Sequence, residues 1–154
     1  MTTTAAPSPA VTPRSLALAH YAARAVLERV LARYDTTFQQ SVTLRLLAVA
    51  EGPVGRDAVV ADAVAALKVP EPEIAATLGE LIDRGLAEQD GPALRITDAG
   101  RALYGTTSAE TAPITARIWA DVPAEDLAAT GRVLARVTER ANAELAALEA
   151  AGRG

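Results

Sequence analysis

Apolar residues recur at helical spacing near both ends of the chain. From Ser15 to Tyr34 they alternate in steps of four and three, which predicts a helix with a narrow apolar stripe like a coiled-coil seam. That stripe consists of Leu16, His20, Ala23, Leu27, Val30 and Tyr34. A repeat of roughly heptad spacing follows Pro123 and consists of Leu127, Leu134, Val137, Ala141, Leu145 and Leu148. We therefore predict a long helix near each end of the chain.

Three shorter helices are predicted between the two long ones. They cover Phe38–Ala50, Gly55–Leu67 and Ile74–Arg84, and each carries apolar residues on one side. The buried side of the first of these is expected to consist of Val42, Leu46, Leu47 and Val49. Gly85 follows the third helix, where a left-handed glycine cap is common.

A β-hairpin is predicted after Gly85. Its strands cover Leu86–Gln89 and Ala93–Ile96, joined by a turn that contains Gly91. Thr97 is expected to cap a further helix that runs from Asp98 to about Trp119, with a kink at Pro113. The predicted protein is mainly α-helical, with one small hairpin.

The two terminal stripes expose more apolar surface than the middle of the chain can cover. Their natural partner is the same pair of helices from a second subunit, related by a two-fold axis. We therefore expect a homodimer.

Composition excludes several kinds of chemistry. The chain has no cysteine and one histidine, so disulfides, thiolate nucleophiles and a histidine-based metal site are not expected. We assign no cofactor, no metal and no catalytic residue, although an enzyme could use His20 or the pair Tyr34 and Asp35 for acid–base chemistry. No apolar stretch is long enough to cross a bilayer, and the first residues do not resemble a signal peptide. These features favour a cytoplasmic protein without a membrane partner.

Three segments carry a resemblance to a known family. They are Leu81–Leu86, Leu94–Leu103 and Pro123–Leu127, and they follow one another in an order that resembles the MarR family of bacterial regulators. The resemblance implies a winged helix-turn-helix with a small hairpin wing, flanked by N- and C-terminal dimerisation helices. It also implies a homodimer that binds a double-stranded DNA operator and releases it when a small, often phenolic, ligand enters a pocket.

The resemblance divides the chain as follows. The resemblance makes residues 15–150 one MarR-like domain, whereas residues 1–14 are predicted to be a disordered leader from their composition, which is mostly Thr, Ala, Pro and Ser. Within that domain, residues 15–50 and 98–150 form the dimerisation helices, and residues 51–97 form the winged helix-turn-helix.

Two sets of site residues follow from this assignment. The DNA-binding candidates are Arg56, Lys68, Thr77, Arg84 and Arg95. The ligand-binding candidates are His20, Tyr21, Arg24, Phe38, Gln39, Arg45, Tyr104 and Trp119. In one interpretation Arg24 or Arg45 holds a small aromatic or anionic ligand and His20 donates a hydrogen bond to it. In the other, His20 lies in a subunit interface and the aromatic side chains fill the core.

The charge of the winged segment does not favour DNA. Residues 51–90 contain three basic and nine acidic side chains, a net charge of −6, whereas affinity for DNA normally comes from basic side chains that displace counterions. The predicted recognition helix opens at Pro70 with Glu71 and Pro72, which offer no bidentate donor to a base edge. Two alternatives therefore stay open. One is a MarR-fold protein that has lost DNA binding and binds or transforms a small molecule, and the other is an adaptor that binds a basic protein.

Overall fold

The computed structural model describes residues 11–152, and in that part of the chain the fold is mainly helical, as predicted. The helices are α1 (Pro13–Leu31), a 3-10 turn (Ala32–Tyr34), α2 (Phe38–Ala48), α3 (Arg56–Leu67), α4 (Glu71–Asp83), α5 (Asp98–Ile118) and α6 (Ala124–Ala151). The strands are β1 (Val54–Gly55), β2 (Ala87–Asp90) and β3 (Ala93–Ile96). The chain divides into two compact units, residues 1–113 and residues 114–154.

Local side-chain caps explain where the helices of the first unit begin. Thr12 and Thr37 each accept a hydrogen bond from the backbone N–H three residues later, and the side chain at that position bonds back, so both helices open with a capping box. The hydroxyl of Thr97 accepts from the N–H of Gly100 at 3.0 Å, which confirms the predicted cap of α5. Residues 1–10 of the predicted leader lie outside the described residues, and α1 already includes Pro13 and Arg14.

Helix α4 begins three residues before Ile74, where the apolar pattern starts the helix, and so agrees with the start at Pro70 expected for the recognition helix. It opens at Glu71 with Pro70 as the capping residue, because Pro72 falls in the first turn, where a backbone N–H has no partner within the helix. Gly85 has a φ of 68°, so the predicted left-handed cap is confirmed.

The predicted hairpin is present and belongs to a three-stranded antiparallel sheet with the order β1-β3-β2. The turn between β2 and β3 places Gly91 at a φ of 57°. Strand β1 was not predicted, because its two residues carry no alternating pattern and pair only with residues about forty positions later. Val54 pairs with Leu94, and Gly55 pairs with Ala93.

The hydrophobic core of the first unit lies between α2, α3, α4 and the sheet. Its most buried large side chains include Leu47, Ile74, Leu78, Leu81 and Leu94. The expectation that Val49 is buried was wrong, since its side chain is 60% exposed. The reason is that α2 ends at Ala48, so that Val49 is the capping residue and no longer follows the buried face.

The two terminal helices keep most of their surface open in the single chain. Only Val30 and Leu31 of α1 are buried, and none of the 28 residues of α6 is. The exposed large apolar side chains of these helices are Leu16, Leu18, Tyr21, Val26, Val133, Val137, Leu145 and Leu148. None of the helices described is both long and apolar enough to cross a membrane.

Candidate functional site

A groove of about 580 Å³ lies between α1, the start of α2 and one face of α4. We call it the acidic groove. It is lined by Arg24, Glu28, Thr36, Thr37, Phe38, Gln39, Glu73, Ala76, Thr77 and Glu80. Three of these side chains are carboxylates and one is a guanidinium, so the lining carries net negative charge.

A second cavity, of about 440 Å³, lies between α1, α2 and the end of α3. We call it the apolar cavity. It is lined by His20, Arg24, Phe38, Gln39, Val42, Ala66, Leu67 and Val69. Five of the eight are apolar, and no carboxylate is among them. Its lining includes Leu67, the last residue of α3, and Val69, in the connection between α3 and α4.

Arg24, Phe38 and Gln39 line both cavities and form the wall between them. The guanidinium of Arg24 lies 4.5 Å from the centroid of the Phe38 ring, a cation–π arrangement. Its Nε donates to Oε1 of Glu28 at 2.8 Å, one helical turn further along α1. Arg24 is therefore held over the aromatic ring from the side of the acidic groove.

Polar contacts join α2 to α4 beside the groove. The amide of Gln39 donates to the hydroxyl of Thr77 at 2.8 Å, and Thr77 donates to the carbonyl of Glu73 at 2.9 Å. The amide of Gln40, which is buried, donates to Oε2 of Glu80 at 2.7 Å. These contacts fix the position of α4 against α2.

Arg84 fastens the end of α4 to the segment that connects α1 with α2. Its guanidinium donates to the carbonyl oxygens of Tyr34 (3.1 Å) and Asp35 (3.0 Å) and to Oε1 of Gln40 (2.9 Å). Asp35 has a φ of 47°, and the tight corner it makes turns these carbonyl groups toward Arg84. A planar fork of donors suits several acceptors at once.

A third network links the end of α1 to the middle of α5. The hydroxyl of Tyr34 donates to a carboxylate oxygen of Glu110, and Arg33 forms an ion pair of 2.7 Å with the other oxygen. The hydrogen bond to Glu110, burial and the negative charge of Glu110 raise the pKa of Tyr34, and Arg33 opposes that rise. Nothing in the local sequence pattern pointed to this network, because its partners are 76 positions apart.

The structure brings four of the eight ligand-binding candidates together in the apolar cavity. They are His20, Arg24, Phe38 and Gln39. Tyr21 stands beside His20 in an edge-to-face contact of 5.8 Å, but its side chain is 64% exposed. The remaining three lie elsewhere. Arg45 is exposed in the last turn of α2 and Tyr104 packs against the core, while Trp119 belongs to the second unit and is half exposed.

Most of the DNA-binding candidates are engaged within the chain. Arg56 donates to Gln89 at 3.0 Å, and Arg95 pairs with Glu88 across β2 and β3 at 2.6 Å. Arg84 makes the contacts given above. Thr77 lines the acidic groove but is only 5% exposed, and its hydroxyl is bonded to Gln39 and Glu73, so little of it is accessible to DNA. Lys68 is exposed at the end of α3.

Sequence reasoning missed the carboxylates of the acidic groove. Glu28 could have been found from its spacing, since an acid four residues after Arg24 on a helix lies within reach of it. Glu73 and Glu80 could not, because only the packing of α4 against α2 brings them there. No group of three or more histidine, cysteine, aspartate or glutamate side chains able to hold a metal ion occurs among the described residues.

No protein-family model matches the chain, and no curated protein matches it in sequence. Solved structures do match it. A MarR family transcriptional regulator from a Rhodococcus species superposes with a TM-score of 0.69 at 16% identity, over 85% of this chain and 98% of that one. NadR in complex with 4-hydroxyphenylacetate gives a TM-score of 0.68 at 23% identity, over 84% and 96%.

A MarR family protein of Mycobacterium tuberculosis matches in two complexes. With salicylic acid its TM-score is 0.62 at 23% identity, and with DNA it is 0.62 at 21% identity, over 83% of this chain and 98% of that one in both. The chain is thus a winged helix protein, with a three-stranded sheet, helices α2 to α4 and long terminal helices. Its fold is that of the MarR family regulators, as the sequence resemblance implied.

Proposed function

We propose that the chain is a ligand-responsive, DNA-binding transcriptional regulator that acts as a homodimer. The observation that carries this proposal is the position of the apolar cavity. It is lined by residues of α1 and α2, by Leu67 at the end of α3 and by Val69 in the connection between α3 and α4. A molecule in this cavity would touch the helix-turn-helix directly, so binding there would bias the position of the DNA-reading unit.

The ligand we propose is a small aromatic or anionic molecule. Phe38, Val42 and Leu67 offer an aromatic and aliphatic surface, and the cavity is large enough for a single-ring compound. Arg24, His20 and Gln39 supply hydrogen-bond donors for a carboxylate or phenol at one edge. The aromatic acids bound by NadR and by the mycobacterial protein support this choice of ligand class.

The homodimer is proposed to form through the terminal helices. Helix α1 exposes Leu16, Tyr21 and Val26, and α6 exposes Val137 and Leu145, so both retain apolar surface in the single chain. Pairing of these helices with their copies would bury that surface.

DNA binding is supported by the fold and by the DNA complex of the mycobacterial protein. The cations available for phosphate contacts are Lys68, Arg56 and Arg95. Arg56 donates a hydrogen bond to the exposed Gln89, and Arg95 forms an exposed ion pair with Glu88, and exposed contacts of this kind exchange at little cost.

The second candidate is a MarR-fold protein that binds or transforms its ligand without binding DNA. It is favoured by one observation: the start of α4 presents Glu71 and Glu73 to solvent, and Arg84 is engaged with backbone carbonyls. Carboxylates on a reading helix repel phosphates, and few free cations remain to offset this.

A gel-shift titration separates the two candidates. The full chain is titrated against DNA from upstream of its own gene, and against a scrambled duplex, over a salt series with and without salicylate. A specific shift that persists near physiological salt and weakens with salicylate supports the regulator. The absence of any shift at low salt, together with salicylate binding in calorimetry, supports the second candidate.

A further inference from the structure

The apolar cavity has one cationic side chain, and that side chain is already paired. Arg24 donates from Nε to Glu28 at 2.8 Å, and the side chains of both residues are 44% exposed. Glu28 lines the acidic groove but is not among the residues that line the apolar cavity. A carboxylate therefore lies just behind the guanidinium that would receive an anionic ligand.

We propose that Glu28 is a specificity-determining residue of the apolar cavity. By pairing with Arg24 it lowers the preference of the site for anionic over neutral aromatic ligands. This inference rests on the proposed function, since it takes the apolar cavity as the ligand site. Glu28 was not among the residues assigned to that site from the sequence.

Arg24 and Glu28 act in opposite directions on an anionic ligand. A ligand carboxylate beside Arg24 is attracted by the guanidinium and repelled by Glu28, so the two terms partly cancel for an anion. A neutral aromatic ligand experiences neither term to a comparable extent. The guanidinium of Arg24 lies 4.5 Å from the centroid of the Phe38 ring, which keeps it at the cavity wall. The charges of Arg24 and Glu28 therefore act beside the ring on which a ligand would pack.

Replacing Glu28 with glutamine isolates the charge. Glutamine has the same length, and its amide oxygen can still accept from Nε of Arg24, so the guanidinium keeps its position while the negative charge is lost. Exposed ion pairs contribute little energy, so the gain on removing the charge of Glu28 should be modest. The variant should bind an anion about two- to fivefold more tightly. The increase should shrink as salt is raised, because screening weakens exposed charges.

Isothermal titration calorimetry at pH 7 with salicylate and its neutral amide, salicylamide, tests the inference on the full chain. The Glu28→Gln variant should bind salicylate about two- to fivefold more tightly than the unaltered protein and bind salicylamide equally well. Glu51→Gln is the matched control, because it makes the same change at an exposed position of the same unit that lines neither cavity. Equal melting temperatures show that the variants are folded.

Three outcomes would overturn the inference. If the Glu28→Gln variant binds salicylate no more tightly than the unaltered protein does, Glu28 does not set charge selectivity, and the proposed function stands. If affinity for salicylamide rises equally, the substitution has changed the shape of the cavity and not its charge preference. If neither protein binds either compound, the apolar cavity is rejected as the ligand site of the proposed function, and the proposed role of Glu28 is rejected with it.

Discussion

Gln39 donates a hydrogen bond of 2.8 Å from its side-chain amide to the hydroxyl of Thr77. This contact joins the first turn of α2 to the middle of α4. Gln39 also lines the apolar cavity, so one side chain reaches both the candidate ligand site and the helix that would read DNA. A ligand that drew the amide of Gln39 toward itself would release α4 at this point.

The strength of this contact can be measured by a double-mutant cycle. Thr77→Val keeps the shape of the side chain but removes both the acceptor of Gln39 and the donor to the carbonyl of Glu73, and we expect a loss of about 0.5–1.5 kcal/mol per lost bond in the free energy of unfolding in urea. Combined with Gln39→Ala, the two losses should not add, because each substitution removes the same hydrogen bond. Additive losses would show that the bond between Gln39 and Thr77 contributes nothing to the free energy of unfolding.

Arg84 and Arg95 give a matched pair of arginine substitutions. Arg84→Met removes charge-assisted bonds to two backbone carbonyls and to Gln40, and should lower the free energy of unfolding by about 1.5–3 kcal/mol. Arg95→Met removes one exposed ion pair with Glu88, and should cost less than about 1 kcal/mol. If the two variants lose the same free energy of unfolding in urea, Arg84 does not have the structural role proposed for it.

Sequence reasoning succeeded for the elements that are specified locally. The left-handed Gly85, the cap at Thr97 and the hairpin around Gly91 are each determined by a few adjacent residues, and all three are present. Strand β1 depends instead on pairing between Val54 and Leu94, which no local pattern reveals.

The same distinction applies to the candidate site. His20 and Arg24 were placed together because they are one turn apart on a helix, and the structure shows them in one cavity. The sequence could not show that Arg84 would be engaged with the α1–α2 corner, since its partners lie about fifty positions earlier. Arg84 was predicted to contact DNA because of its charge, without knowledge of the carbonyl groups that surround it in the fold.

Two glycines of α5 should respond oppositely to alanine. A Cβ at Gly100 would lie 2.0 Å from the backbone oxygen of Leu86, so Gly100→Ala must displace the start of the wing and should cost at least about 1–3 kcal/mol. A Cβ at Gly105 meets nothing within 4 Å, so Gly105→Ala should stabilise the helix by about 0.5–1 kcal/mol. Thermal unfolding of both variants checks the pair, and a Gly100→Ala protein as stable as the original would refute the close approach.

The bond between Tyr34 and Glu110 predicts a loss of stability in alkali. The pKa of Tyr34 in the folded protein is raised above its ordinary value of 10.0, chiefly by that hydrogen bond, so the unfolded chain loses this proton first as the pH rises. The contribution of Tyr34 to the free energy of unfolding is therefore complete below pH 10.0 and is lost as the pH rises through the folded pKa.

Urea unfolding from pH 8 upward should show a decline in the free energy of unfolding, and this decline should be weaker in the Tyr34→Phe variant. Glu110→Gln should weaken the decline as well, because it removes the charged acceptor. If the decline is as steep in both variants as in the unaltered protein, a group other than Tyr34 causes it.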